Sequence, residues 1–168
     1  QLSFVTIGRG VQNYTCPSGA TKPVQNGTNG GAVAQLFDVT SIIASSQAEG
    51  QNSLLGPLND QFPKVCFHHF NAAGTPVFDC GDKGIILGLK LEAVDAPVGA
   101  QASANGAKAV PWLNLAAKEG SRDITKVIRV VTAGGSPPSG CAGYYPEDVI
   151  SVDYAAQYWF FNNGTLSS

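Results

Sequence analysis

The sequence predicts an all-β fold, an antiparallel sandwich or barrel with long loops. Three observations predict it. Apolar and polar residues alternate in short runs, the period-two pattern of strands buried on one face. The 20 Gly and 10 Pro fall largely between those runs, where turns need them. Helical periodicity is confined to residues 40–47 and 53–59, each able to hold a turn or two. A length of 168 residues fits a single domain over 1–168. A chain of that size buries roughly two-thirds of its unfolded surface, enough for a sizeable core.

Taken in order, residues 33–39 and 65–70 read as short strands. The clearest strand spans 85–93. Ile85, Leu87, Leu89, Leu91 and Ala93 share one face; Ile86, Gly88, Lys90 and Glu92 share the other. The leucine face is expected to be the buried one, each large side chain contributing about 1.5–3 kcal/mol. Residues 112–116 form a further candidate, and 125–132 is rich in the β-branched residues that favour strands. Over 148–161, Val152, Tyr154, Ala156, Tyr158 and Phe160 line one face, opposed by Asp153, Ala155, Gln157 and Trp159. Residues 25–31, 96–108 and 134–140 are loops by their Asn-Gly, Gly-Gly and Pro-Pro steps and their small polar composition.

Charge narrows the partners. Charged residues are 13% of the chain and the net charge is −2, so no basic stripe exists for nucleic acid. A 43% hydrophobic content without long charged tracts argues against disorder. No apolar run approaches the roughly 20 residues of a membrane-spanning helix. Met is absent and the chain begins at Gln1, which leads us to expect a secreted form whose leader has been removed. Three sequons, at Asn13, Asn26 and Asn163, agree with a secreted glycoprotein. Cys16, Cys66, Cys80 and Cys141 are an even set, read as two disulfides. Cys66 and Cys80 flank a Gly- and Pro-containing hairpin and are expected to pair, which leaves Cys16 with Cys141.

Little in the sequence spells out chemistry. His68 and His69 are adjacent, so on a strand they point to opposite faces: His68 with Cys66 and Phe70, His69 with Val65 and Phe67. Both are kept as candidate ligand-binding residues, and no metal site is assigned. Asp79 and Asp82 are the nearby carboxylates, though Asp79-Cys80-Gly81-Asp82-Lys83-Gly84 reads first as a tight turn. Tyr144 and Tyr145 follow a cysteine in a loop and are the aromatic pair most exposed to a ligand. Gly8-Arg9-Gly10 is a lone GxG. Residues 27–31 lack the Walker lysine, and no GxSxG elbow occurs, so no nucleotide cofactor is implied.

Several segments together resemble a known family. Gly10-Val11-Gln12-Asn13-Tyr14-Thr15-Cys16 resembles its GVQ-x-Y-x-C opening, and Ala34-Gln35-Leu36-Phe37-Asp38 its A-x-LFD strand. His69-Phe70 with Gly74-Thr75-Pro76, and Val110-Pro111-Trp112-Leu113, resemble its H-aromatic…GPTW and IPWL segments. Thr132-Ala133-Gly134-Gly135 with Pro138 and Cys141, then 154–160, resemble its T-x-GG-x-x-P…C and closing strand. The family is the secreted fungal and bacterial group called domain of unknown function 3455. The resemblance implies a secreted β protein and no established activity. It also supports pairing Cys16 with Cys141, with Cys66 and Cys80 as an addition of the fungal branch. Some fungal members carry a malate dehydrogenase label, which no motif in this chain supports. The family's GPTW tryptophan is unmatched, since Thr75-Pro76-Val77 stands there.

From compartment, low charge and loop-rich β architecture, the sequence is read as a secreted domain binding an extracellular ligand, a glycan, cell-surface polymer or small molecule. The competing readings are a hydrolase using His69 with Asp79 or Asp82 as acid or base, and a defence or toxin-like protein.

Overall fold

The computed structural model describes residues 1–25, 30–45 and 62–164. Among the described residues eight strands follow one another: β1 (Leu2–Thr15), β2 (Gly31–Asp38), β3 (Lys64–Phe70), β4 (Pro76–Asp79), β5 (Ile85–Val94), β6 (Trp112–Ala117), β7 (Lys126–Gly134) and β8 (Val149–Phe161). A short helix, α1 (Thr40–Ser45), follows β2. Each strand pairs antiparallel with the next, and β8 returns to β1, closing an up-and-down barrel. Closure removes both sheet edges, which would otherwise expose unpaired backbone. Of the two architectures open to the sequence, the barrel is the one formed. Register shifts at Leu2/Phe4, Leu36/Phe37, Lys90/Glu92 and Val130/Ala133 supply the bends that curve the sheet onto itself.

The alternation read for 148–161 holds in β8. Tyr154, Ala156, Tyr158 and Phe160 point into the lumen and are buried. Register carries that inward set around the barrel. Gly8, opposite both Ala156 and Leu36, is inward, as is His68 opposite Ala34 and Phe78. Two glycines of β1 have packing reasons. A Cβ on Gly8 would meet the Tyr158 ring at 2.5 Å, and one on Gly10 would overlap the Val33 carbonyl. Gly8-Arg9-Gly10 is thus part of a wall, not a phosphate loop. Outside the wall, Val5, Ile7, Val39 and Ala133 make a second buried cluster with Ile43 of α1, Phe62 and Trp159. β1 therefore buries both faces over Phe4–Ile7, which erases its alternation and explains why it was not legible as a strand.

The face expected to be buried in β5 is the wrong one. Ile86 is 0% exposed, whereas Leu89 and Leu91 are 52% and 59% exposed. Register decides this. Ile86 lies opposite Phe78, and Lys90 opposite Leu115, both inward. A slip of one residue would exchange the faces. It would also put a side chain where Gly88 now sits against Pro76 Cγ and Leu115 Cδ1, at 3.2 and 3.3 Å from an added Cβ.

Both disulfides form as read. Cys66–Cys80 staples the β3–β4 hairpin, and Cys16–Cys141 ties the end of β1 to the loop before β8. In the chain-entropy model closures of these lengths stabilise by about 3 and about 5 kcal/mol. Residues 40–45 are helical as expected; 53–59 lie outside the described residues. Among the described residues no helix is long and apolar enough to cross a membrane.

Candidate functional site

One end of the lumen is filled. Phe4 stacks on Phe160 at 4.5 Å between centroids, and Ile86, Ile124, Val127 and the Cys66–Cys80 pair complete an apolar plug. Toward the other end the inward side chains shrink to Ala32, Ala34, Gly88 and Ala93 or turn polar, and a cavity of about 400 Å³ opens. Its walls are Phe70, Pro76, Phe78, Val110, Leu113 and Leu115, with Gln12, Tyr14, His68, Arg129 and Tyr158 as the polar groups. Gln25, Lys90, Ala93 and Pro111 stand exposed at its lip, so the cavity is open to solvent there. An eight-stranded barrel has room for packed side chains or one small ligand, and this lumen is divided between the two.

Arg129 is the dominant charge. It sits on β7 between the inward positions of Val127 and Thr132, and is only 7% exposed. Its Nε and Nη2 donate to the Pro111 carbonyl at 3.2 and 2.8 Å. That carbonyl is neutral. Among the described residues no carboxylate pairs with Arg129, and no Asp or Glu lines the cavity. A guanidinium carries five N–H donors, so the Pro111 carbonyl leaves part of the fork for another acceptor. The Tyr158 hydroxyl lies beside it and also pairs with the Tyr154 hydroxyl at 3.0 Å. Burial pushes Tyr158 up, while Arg129 opposes that rise. Burial likewise pushes Tyr14 up to about 12, Arg129 again working against it; its hydroxyl donates to the Gly135 carbonyl at 2.7 Å.

His68 stacks flat on Phe78 at 3.9 Å, and its Nδ1 lies 2.8 Å from the Val77 carbonyl. A carbonyl only accepts, so Nδ1 carries the proton and Nε2 is left as an acceptor. Burial drives its pKa down to about 3, against the Val77 hydrogen bond and with help from Arg129 and His69. The ring is neutral throughout the physiological range. Gln12 is 2% exposed; its Oε1 accepts from Gln25 Nε2 at 2.7 Å, and its own Nε2, buried, has no partner among the described residues. It sits beside Val110, because both side chains close on Gly135, whose Cβ would meet Gln12 Cγ at 3.1 Å and Val110 Cγ1 at 3.0 Å.

The sequence-derived candidates divide across the wall. His68 shares a face with Cys66 and Phe70, as parity required, and that face is the inner one. His69 is outside, its ring stacked on Phe67 at 5.3 Å. Asp79 lies opposite Phe67 on that outer face, exposed, and accepts from Gly81 N at 3.1 Å; Asp82 lies in the 3-10 turn Gly81–Lys83. The segment 79–84 is therefore the tight turn its composition suggested. Among the described residues no hydrogen bond or ion pair links His69 to Asp79 or Asp82, and no group of three His, Cys, Asp or Glu converges. Tyr144 and Tyr145 are exposed, at 42% and 78%, and lie away from the cavity lining. Asn13 sits on β1 near its end, where its Oδ1 accepts from Ser151 Oγ at 2.7 Å. Asn163 is exposed at the far end of the chain, while Asn26 lies outside the described residues.

Arg129 and Gln12 were not singled out by sequence reasoning. A usable signal existed for the first: an arginine two positions after Val127 in a β-branched strand places a charge on an apolar face. Gln12 gave none of its own.

A family model described as "Protein of unknown function (DUF3455)" matches residues 1–162. No curated protein and no solved structure matches the chain.

Proposed function

Because the chain belongs to this family, DUF3455, whose description carries no activity, we propose its function from the lumen itself: a secreted binding protein that holds one small, largely apolar molecule inside the barrel. The observation that carries this reading is the cavity of about 400 Å³, open at one lip and walled mainly by apolar side chains with a few convergent polar groups. Small-molecule sites have that size and that lining. The two disulfides are compatible with work outside the cell. Within the glycan, polymer or small-molecule expectation, the small molecule is favoured. A glycan chain needs an open groove with many paired polar groups, whereas Tyr154 and Tyr158 are enclosed in the lumen. The hydrolase reading draws no support from the outward placement of His69.

The test uses the neutral dye phenylnaphthylamine. Its fluorescence should rise on binding the native protein and fall back in Ala93→Trp, where an indole at the lip closes the opening. Ala93 is exposed, so this plug leaves the core intact. An undiminished signal in Ala93→Trp would place the dye on the outer wall and sink the lumen reading.

A further inference from the structure

We propose that the molecule held in the lumen carries a carboxylate, received by Arg129 and Gln12. The inference rests on the lumen-binding reading and names the head group of its occupant. Three observations converge on it. Arg129 is buried beside the cavity, and its described acceptors are a neutral carbonyl and a phenol. A buried cation without an anion is costly, and an anion brought by a ligand offsets that cost while gaining charge-assisted hydrogen bonds. The second observation is Gln12 Nε2, a buried donor in the lining of the same cavity that has no acceptor among the described residues. Buried donors are normally paired, and one left open beside a cavity marks a place for an acceptor. The third is the charge of the lining: Arg129 inside, Lys90 at the lip, and no acid among the described residues. An anion enters past one cation and stops at the other.

The donor set favours a carboxylate over a phosphate. The remaining edge of one planar guanidinium and one amide N–H suit two coplanar oxygens. His68, fixed neutral with Nε2 as an acceptor, adds no second positive charge for a dianion.

Matched acids and alcohols test this by calorimetry: naphthoate against naphthylmethanol, and octanoate against octanol. Charge-assisted bonds of this kind correspond to an acid preference of about ten- to a hundredfold. Arg129→Gln should abolish that preference, lowering acid affinity by about ten- to a hundredfold more than alcohol affinity, while Gln12→Leu should reduce the preference by about threefold. An arginine that only straps Pro111 would instead cost acid and alcohol alike, and that result overturns the proposal. Should Arg129→Gln fail to fold, Gln12→Leu decides alone, and an unchanged acid preference overturns it. Equal binding of acid and alcohol, or tighter binding of naphthyl phosphate than naphthoate, overturns the head-group assignment while phenylnaphthylamine binding keeps the lumen reading. Loss of the dye as well removes both.

Discussion

At one end of the barrel β1 and β8 bring Phe4 against Phe160; eight residues further along, the same two strands set Gln12 opposite Val152. The first end is an apolar aromatic plug, the second a cavity rimmed by polar groups. Backbone pairing is continuous between them, so the difference is made by side-chain size alone. Ala32 and Ala93 are the small residues that line the second end and leave room there. The plug holds the strands in register, and the register holds Arg129 and Gln12 where a molecule could meet them. Stability and site are thus separated along one axis, and the separation can be attacked from either end.

The largest effect is expected at the plug. Phe160→Ala should cost about 3–5 kcal/mol, because a ring that is 0% exposed leaves a void its neighbours cannot fill. Leu113→Ala, at the hollow end, should cost only about 1–2 kcal/mol, since part of that side chain already faces open space and loses fewer contacts. Urea unfolding of the two variants measures the gap. Equal costs would mean that the hollow end is as tightly packed as the plug.

The plug was far more legible in the sequence than the site. The strict alternation Tyr154, Ala156, Tyr158, Phe160 exposed the strand and its two faces, and Cys66 with Cys80 announced the hairpin. Long-range register is what stayed hidden. Whether β5 turns Ile86 or Leu87 inward depends on Phe78 and Leu115 across the ladder, which no local pattern contains. The cavity is harder still, because a hollow is made by what neighbouring strands lack. Arg129 looks like a stray charge until β7 is placed beside the loop that carries Pro111. His68 and His69 were separated correctly by parity, but parity alone cannot say which side is the lumen.

His68 gives the next effect, and it probes the border between plug and cavity. Burial lowers its pKa from 6.5 to about 3, so between those values the unfolded chain binds a proton that the folded one refuses. Stability contributed by the neutral ring is therefore full above about pH 6.5 and is lost as the pH falls toward 3, by about 1.4 kcal/mol per pH unit. The groups facing it are the Val77 carbonyl, Phe78, Phe70, Tyr158 and, through charge, Arg129 and His69. His68→Phe keeps an aromatic surface against Phe78 and removes the titration. Its unfolding free energy should fall less steeply over that interval than that of the native protein. Asp38, lowered by its bonds to Thr40 and Lys83 against the opposing effect of burial, destabilises both proteins alike at the acid extreme and cancels from the comparison. Parallel curves for the two proteins would show that His68 is not shielded, and that water reaches past the cavity to the plug.

The smallest effect tests the register that built both ends. Leu89 looks like a core residue in sequence, yet it stands 52% exposed on the outer wall, one register step from Lys90 at the lip of the cavity. Leu89→Ala should change stability by less than about 0.5 kcal/mol, the usual range for a surface site. Ile86→Ala, three residues earlier on the opposite face, should cost about 2–5 kcal/mol. Thermal or urea unfolding of this pair reads the direction of the whole strand. If Leu89→Ala proved the costlier, β5 would be turned over, Lys90 would leave the lip, and the lumen would be lined by leucines with no cation at its entrance. A carboxylate would then lose the outer of the two charges that lead it inward, so the least disruptive substitution bears directly on what the barrel can hold.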